Sequence, residues 1–248
     1  MKRWHKIGIG FAVAAVVLVT LGFWARSASR NFFYPVAPPM PAVVSEPMPE
    51  ILARLESILK TNAPQVLAGL QPGISAAKIE KLEQQYHVQL SDDIRAIYQW
   101  RDGTRSATND ASYDFIPIHR FVPLEEMLAE KAAEGKGPAT LLQRAAYRIF
   151  AGQRDSWFCL FSDGMRDGYW FDPTRKPSEG AVFYTFTEDN DFVFFPSPKN
   201  LMAGIAKCYE QGIFRVKPGT SPPQLDEDFE KAEKVWAEFG ASNHARTE

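Results

Sequence analysis

From Ile79 to Gly103 the chain reads IEKLEQQYHVQLSDDIRAIYQWRDG, and its apolar positions fall at helical spacing. Ile79, Leu82 and Tyr86 lie three and four residues apart, so they share one stripe, while Lys78, Glu80, Lys81 and Gln84 face away. A second helix is expected from Ser91, whose hydroxyl can cap a free N–H. Asp92 and Asp93 then favour the positive end of the helix dipole. Ile94, Ile97 and Tyr98 repeat the stripe, and Gly103 is expected to stop the helix in a left-handed conformation. Upstream, a helix begins near Glu50 with Ile51, Leu52, Leu55, Ile58 and Leu59 on one face. Val66, Leu67 and Leu70 continue it past Pro64, and Gln71-Pro72-Gly73 reads as a turn. Near the C-terminus, Phe229, Ala232, Trp236 and Phe239 form a further stripe after a linker at Pro218–Pro223.

Between these helices the pattern changes to short aromatic and β-branched runs. Tyr113–Arg120 reads as a short strand. Tyr147–Ala151, Ser156–Phe161, Gly168–Asp172, Ala181–Phe186 and Asp191–Phe195 follow, separated by turn residues. Asp163-Gly164 and Asp189-Asn190 sit at hairpin corners, so an antiparallel meander is expected. Phe183, Tyr184 and Phe186, like Phe192, Phe194 and Phe195, put large apolar groups on both faces of their strands. A half-exposed sheet would alternate with polar residues. The second face is therefore either covered within the chain, with the C-terminal helix as a candidate, or a surface for a partner.

The first 30 residues differ from the rest. Ile7–Ala25 carries no charge over 19 residues, which spans roughly 28 Å as a helix, close to the hydrocarbon thickness. Trp4, Phe23 and Trp24 stand at its ends, where aromatic rings favour the membrane interface. An uncleaved anchor is expected. A cleaved signal peptide is the alternative, with small residues at Ser27-Ala28-Ser29. Lys2, Arg3 and Lys6 precede the segment and Arg26 and Arg30 follow it, which by a narrow margin puts the N-terminus in the cytoplasm. The expectation is a single-pass inner-membrane protein with its domain on the periplasmic side. Pro35, Pro38, Pro39, Pro41, Pro47 and Pro49 then make a stiff spacer.

Charge narrows the partners. Residues 1–30 hold five of the 28 basic residues and none of the 30 acidic ones, leaving 23 against 30 and a net of −7 on the remainder. That balance argues against nucleic acid and suits a basic protein. Little carries chemistry. His5, His87, His119 and His244 show no metal-ligand spacing, and no glycine-rich phosphate loop occurs, so no catalytic residue, metal or cofactor is expected. Cys159 and Cys208 are the two cysteines; they form either a disulfide or, the blander reading, two inert buried thiols. The acids of Ser162–Gly168 lack the ligand alternation of a calcium loop and read as a hairpin turn.

The run Leu82-Glu83, Tyr86, Val88, Leu90, Ile94-Arg95, Tyr98 and Asp102-Gly103 resembles the entry motif of the SUKH superfamily, named for fungal cell-wall assembly regulators of Smi/Knr type. His87 stands where that family has Gly and Ser91 where it has Pro; histidine tolerates left-handed backbone and serine can start a helix. Phe121-Val122-Pro123-Leu124-Glu125-Glu126 is similar to the family's next helix opening, with Pro at the first helical position. Asp172-Pro173, Gly180-Ala181-Val182 and the helix of Asn200–Gly212, with Leu201, Ile205 and Cys208 or Tyr209 on one face, follow in the family's order. The resemblance implies an α+β fold, a mainly antiparallel sheet packed by helices, here with an N-terminal transmembrane helix. The expected organisation is an anchor at 1–30, a linker at 31–49, a helical extension at 50–73, the SUKH-like domain at 74–215 and a C-terminal linker and helix at 216–248. It further implies a non-catalytic protein-binding module. Bacterial members act as immunity proteins that neutralise toxins; fungal members act as scaffolds in wall assembly. Trp100, Asp102 and Arg105, at the end of the helical corner, are either packing and solvated residues or partner contacts. With Asp172 they are the candidate partner-binding residues. The partner would be a toxin or an envelope protein, and oligomeric state is left open.

Overall fold

The computed structural model describes residues 41–105, 113–134, 157–165, 167–173, 180–185 and 192–242. All belong to one unit, residues 37–137 and 154–248. The anchor expected over 7–25, the strand expected over 147–151 and the corner at Asp189-Asn190 lie outside the described residues. Among those described, no helix is long and apolar enough to cross a membrane.

Helix α1, Met48–Asn62, buries Met48, Ile51, Leu52, Leu55 and Leu59, the side selected by its apolar spacing. A short helix α2, Pro64–Gly69, leads into strand β1, Leu70–Pro72. The turn expected at Gln71–Gly73 is thus a strand up to Pro72; it pairs antiparallel with β2, Arg101–Thr104. Helices α3, Ala76–Tyr86, and α4, Asp92–Trp100, form the corner. Ser75 caps α3 by accepting from the Lys78 N–H at 3.2 Å, and Ser91 caps α4 by accepting from the Ile94 N–H at 3.4 Å. His87 ends α3 at φ 54°, the left-handed position expected of it. Gly103 does not end α4. The helix stops at Trp100 and runs straight into β2, where Gly103 takes φ +77°. A Cβ there would lie 2.5 Å from the Pro123 nitrogen, so close passage of two backbones is what requires glycine.

The expected strand at Tyr113–Arg120 is instead a tight turn. Ile116 and His119 exchange backbone hydrogen bonds across Pro117-Ile118, and only Arg120–Phe121 is strand, β3. Proline locks the first turn position and Ile118 adopts φ +61° at the second, as in a type II turn. Helix α5, Leu124–Glu134, starts one residue after Pro123, and the Leu124 N–H is taken by Asp102 from β2 at 2.9 Å. Proline therefore precedes the first helical position, and a remote carboxylate supplies the cap.

Strands β4 (Phe158–Ser162), β5 (Gly168–Asp172), β6 (Ala181–Thr185) and β7 (Phe192–Phe195) form the expected meander. With β10, Ala241–Ser242, they give the antiparallel order β10-β7-β6-β5-β4-β3. Register lines up Phe171, Val182 and Phe195, and places Tyr169 beside Tyr184. All five belong to the one large core cluster. Helix α6, Pro198–Glu210, lies against this core and buries ten of its thirteen residues; its apolar character is thus nearly all round, beyond the single stripe expected. Asn200 ties it to two segments remote in the chain, donating to the Ala42 and Phe239 carbonyls and accepting from the Val44 N–H.

On the other sheet face Trp170 neighbours Phe183, and Trp157 stacks on Phe183 at 4.7 Å with ring planes 3° apart. The C-terminal helix does not cover that face. Helix α7, Phe229–Phe239, packs on α6, and its Trp236 reaches Tyr169 and Phe195 on the core side. Gly204 makes room, since a Cβ there would sit 2.9 Å from the Trp236 ring. Phe229, expected in the buried stripe, is 78% exposed; Val235 replaces it, because packing turns the helix toward Ala232 and Val235. The stretch read as a linker at Pro218–Pro223 is the loop of a hairpin, β8 (Phe214–Val216) with β9 (Leu225–Glu227).

Candidate protein-binding surface

Helices α1 and α4 leave an open groove of ≈ 530 Å³, lined by Leu52, Glu56 and Lys60 from one side and Ala96, Gln99 and Trp100 from the other. Trp100 is half-buried and its indole N–H donates to Glu56 Oε2 at 2.8 Å. The same oxygen accepts from Arg101 Nη2 at 3.0 Å, and Glu56 Oε1 meets Lys60 Nζ at 2.9 Å. Lys60, then Trp100 and Arg101, hold the Glu56 carboxyl below its ordinary range against the opposing effect of burial. The Arg101 guanidinium lies 5.8 Å from the Trp100 ring centre. The result is a large aromatic side chain held by an internal hydrogen bond at the lip of a groove of mixed polar and apolar lining, which loses little freedom when something binds.

The other sequence candidates are placed differently. Asp102 is buried and occupied as the α5 cap, two residues from Trp100 in the chain but turned inward. Arg105 is exposed at the end of β2, its N–H donating to the Gly69 carbonyl. Asp172 is 1% exposed at the end of β5, in the sheet. Trp100 and Arg105 therefore offer surface, whereas Asp102 and Asp172 contribute from inside the fold. Glu56 and Lys60 were not singled out from the sequence; their i,i+4 spacing beside the Leu52–Leu55 stripe is the signal that marks them.

Cys159, Cys208 and His119 are enclosed. Cys159 and Cys208 are free thiols, both buried, and burial pushes each up to about 12. They stay protonated and unreactive at neutral pH. His119 is 3% exposed, with its ring edge-on to Tyr169 and Tyr184 at 5.4 and 5.2 Å. Its Nδ1 donates to the Pro117 carbonyl at 2.8 Å, which places the lone pair on Nε2, and burial lowers its pKa. Asp163 folds the β4–β5 turn by accepting from the Met165 and Asp167 N–H groups, as expected of a hairpin corner. Among the described residues no group of three or more His, Cys, Asp or Glu could hold a metal ion.

One further pair explains the entry motif. Glu83, 7% exposed, accepts from the Leu90 N–H at 2.7 Å and takes Arg95 in a two-point ion pair at 3.2 and 2.6 Å. It fixes the α3–α4 corner, and the α4 corner carries Trp100 to the groove. A model of the SMI1 / KNR4 family (SUKH-1) matches residues 73–201, just over half of the chain. The chain belongs to that family. The matched SUKH-1 span contains the Glu83–Arg95 clamp, the Asp102 cap and the meander β3–β7, and it ends inside α6 at Leu201. Helix α1, which forms half of the groove, precedes it. A search of curated proteins gave no match.

Proposed function

We propose that this SUKH-1 chain is a non-catalytic protein-binding module, tethered to a membrane through residues 7–25, that neutralises a toxin as an immunity protein. The observation that carries the reading is Trp100 of α4, clamped by Glu56 of α1 at the open groove between these two helices. Rigid, half-buried tryptophans of this kind are the residues that dominate binding energy at interfaces. The two thiols held near 12 and the enclosed imidazole fit a domain whose work is contact and not bond-making. The acidic balance outside residues 1–30 suits a basic toxin. The mechanism is steric: the domain covers the toxin's working surface. Outside the cytoplasm, a tether would hold the module where an incoming toxin first arrives.

The test is survival. Cells producing the product of the gene adjacent to this one are expected to grow when the full chain is present and to stop when it is deleted. Wall defects in the deletion strain without that product would favour the second reading, a scaffold for envelope assembly. Failure of the full chain to protect those cells would count against the immunity reading.

A further inference from the structure

Glu56 is the acid among the residues that line the α1–α4 groove, and its charge is already engaged inside the fold. Its Oε2 accepts from the Trp100 indole and from Arg101, and its Oε1 meets Lys60. An incoming cation would find both oxygens occupied. The lip beside it is rich in donors instead. Lys60, the basic residue of the lining, has a side chain that is 62% exposed and uses one of its three N–H groups on Glu56. Ser57 and Gln99 are exposed in the same lining. With Arg101 against Glu56, one carboxylate faces two cations at the Trp100 end. Other charges on the two helices do not reverse that balance. Glu46 and Arg54 neutralise each other, and Asp102 is turned inward as the α5 cap. The exposed acids Glu50 and Asp92 stand in the first turns of α1 and α4. At 1.5 Å per residue they lie ~15 Å from Lys60 and ~12 Å from Trp100 along their own helices, beyond a screening length.

We infer that the groove takes a short extended segment of a protein partner, in which an apolar side chain lies between Leu52, Ala96 and Trp100 and an Asp or Glu side chain meets Lys60. That occupant rests on the protein-binding reading above and specifies what the same groove recognises. Size and charge select it. From Pro49 to Lys60 the α1 wall is ~16 Å long at 1.5 Å per residue, the length of about five extended residues. The groove is open, whereas small molecules are held in sites that bury most of their surface. One exposed ammonium group, on a chain that is acidic outside residues 1–30, is no footprint for nucleic acid or an anionic membrane. Charge therefore acts at two ranges. The acidic chain draws a basic partner from a distance, and Lys60 meets a carboxylate of that partner at contact.

A display library of random heptapeptides is selected on the purified full chain and, separately, on its Lys60→Glu variant. The parent chain is expected to enrich peptides that join an apolar residue to Asp or Glu. A synthetic copy of the enriched peptide should bind with an affinity that falls with salt, drops at least tenfold in Lys60→Glu and in Trp100→Ala, and changes little in Lys60→Arg. Both Lys60 variants should keep the parent's melting temperature. Lys60→Glu should in turn enrich peptides with Lys or Arg in place of the acid, a reversal that a merely structural Glu56–Lys60 pair would not give. Enrichment of basic or uncharged peptides on the parent chain, no enrichment, or a peptide indifferent to Lys60→Glu overturns the proposal. So does a dimer of the parent chain that Lys60→Glu dissociates, because the groove then takes a second copy. The adjacent gene's product separates this proposal from the immunity reading. A complex with it that is indifferent to Lys60→Glu overturns the acidic segment and leaves that reading standing. No complex, with acidic peptides still bound at the groove, overturns the immunity reading and supports the segment.

Discussion

Glu83 shows how one side chain sets the geometry that a surface depends on. Its carboxylate is 8% exposed and holds the Leu90 N–H and the Arg95 fork together. Removing one partner of such a pair strands the other. Glu83→Ala is expected to lose about 2–3 kcal/mol of stability, read as a lower urea midpoint; a loss under about 0.5 kcal/mol would mean that the clamp is ornamental. Ile118 is the opposite case. Ile118→Asn should gain about 1 kcal/mol by removing left-handed strain, visible as a higher melting temperature. His119 sets a pH dependence. Its folded pKa lies below the unfolded value of about 6.5, so the unfolded chain binds the proton first as pH falls. Its contribution is complete above that value and is lost as pH drops through the folded pKa. A His119→Gln chain is expected to show a flatter stability profile below pH about 6.5. An unchanged slope would assign the pH dependence to other groups.

At the scale of elements, what was legible depended on whether the signal is local. The capped helices α3 and α4, with Ser75, Ser91 and His87, follow from short-range chemistry, and so do strands β4 to β7. Three things were not legible. Asp102 and Gly103 serve a helix more than twenty residues away, which a local reading took for a helix stop. Pro117-Ile118 forms a turn without the glycine that usually marks one, so the run looked like a strand. Phe229 shares the stripe spacing of α7, but Trp236 docking over Gly204 turns that helix away from it. Of the site, Trp100 and Arg105 were legible as surface; Glu56 and Lys60 were hidden because only the fold sets α1 beside α4. Helix α1 is the element whose importance the family match understates. It precedes residues 73–201, yet Leu55 and Leu59 are fully buried. Leu55→Ala is expected to cost about 3 kcal/mol in denaturant unfolding. A fragment cut to 73–201 also loses most of α6, and should show no cooperative melting transition; a sharp transition would mean that the matched span folds without α1.

At the scale of the whole molecule, the SUKH-1 fold encloses Cys159, Cys208 and His119 and leaves the groove at Trp100 open. Trp100 at the groove is fixed by an internal hydrogen bond, so binding there orders little that is not already ordered. The acidic remainder of the chain adds long-range attraction for a basic partner and predicts association that weakens as salt rises. The most direct measurement is the mass, by light scattering after co-purification, of the full chain together with the adjacent gene's product. A stoichiometric complex is expected, its affinity dropping at least tenfold in Trp100→Ala with the variant still folded. Separate elution of the two proteins, or a complex indifferent to Trp100, would contradict it.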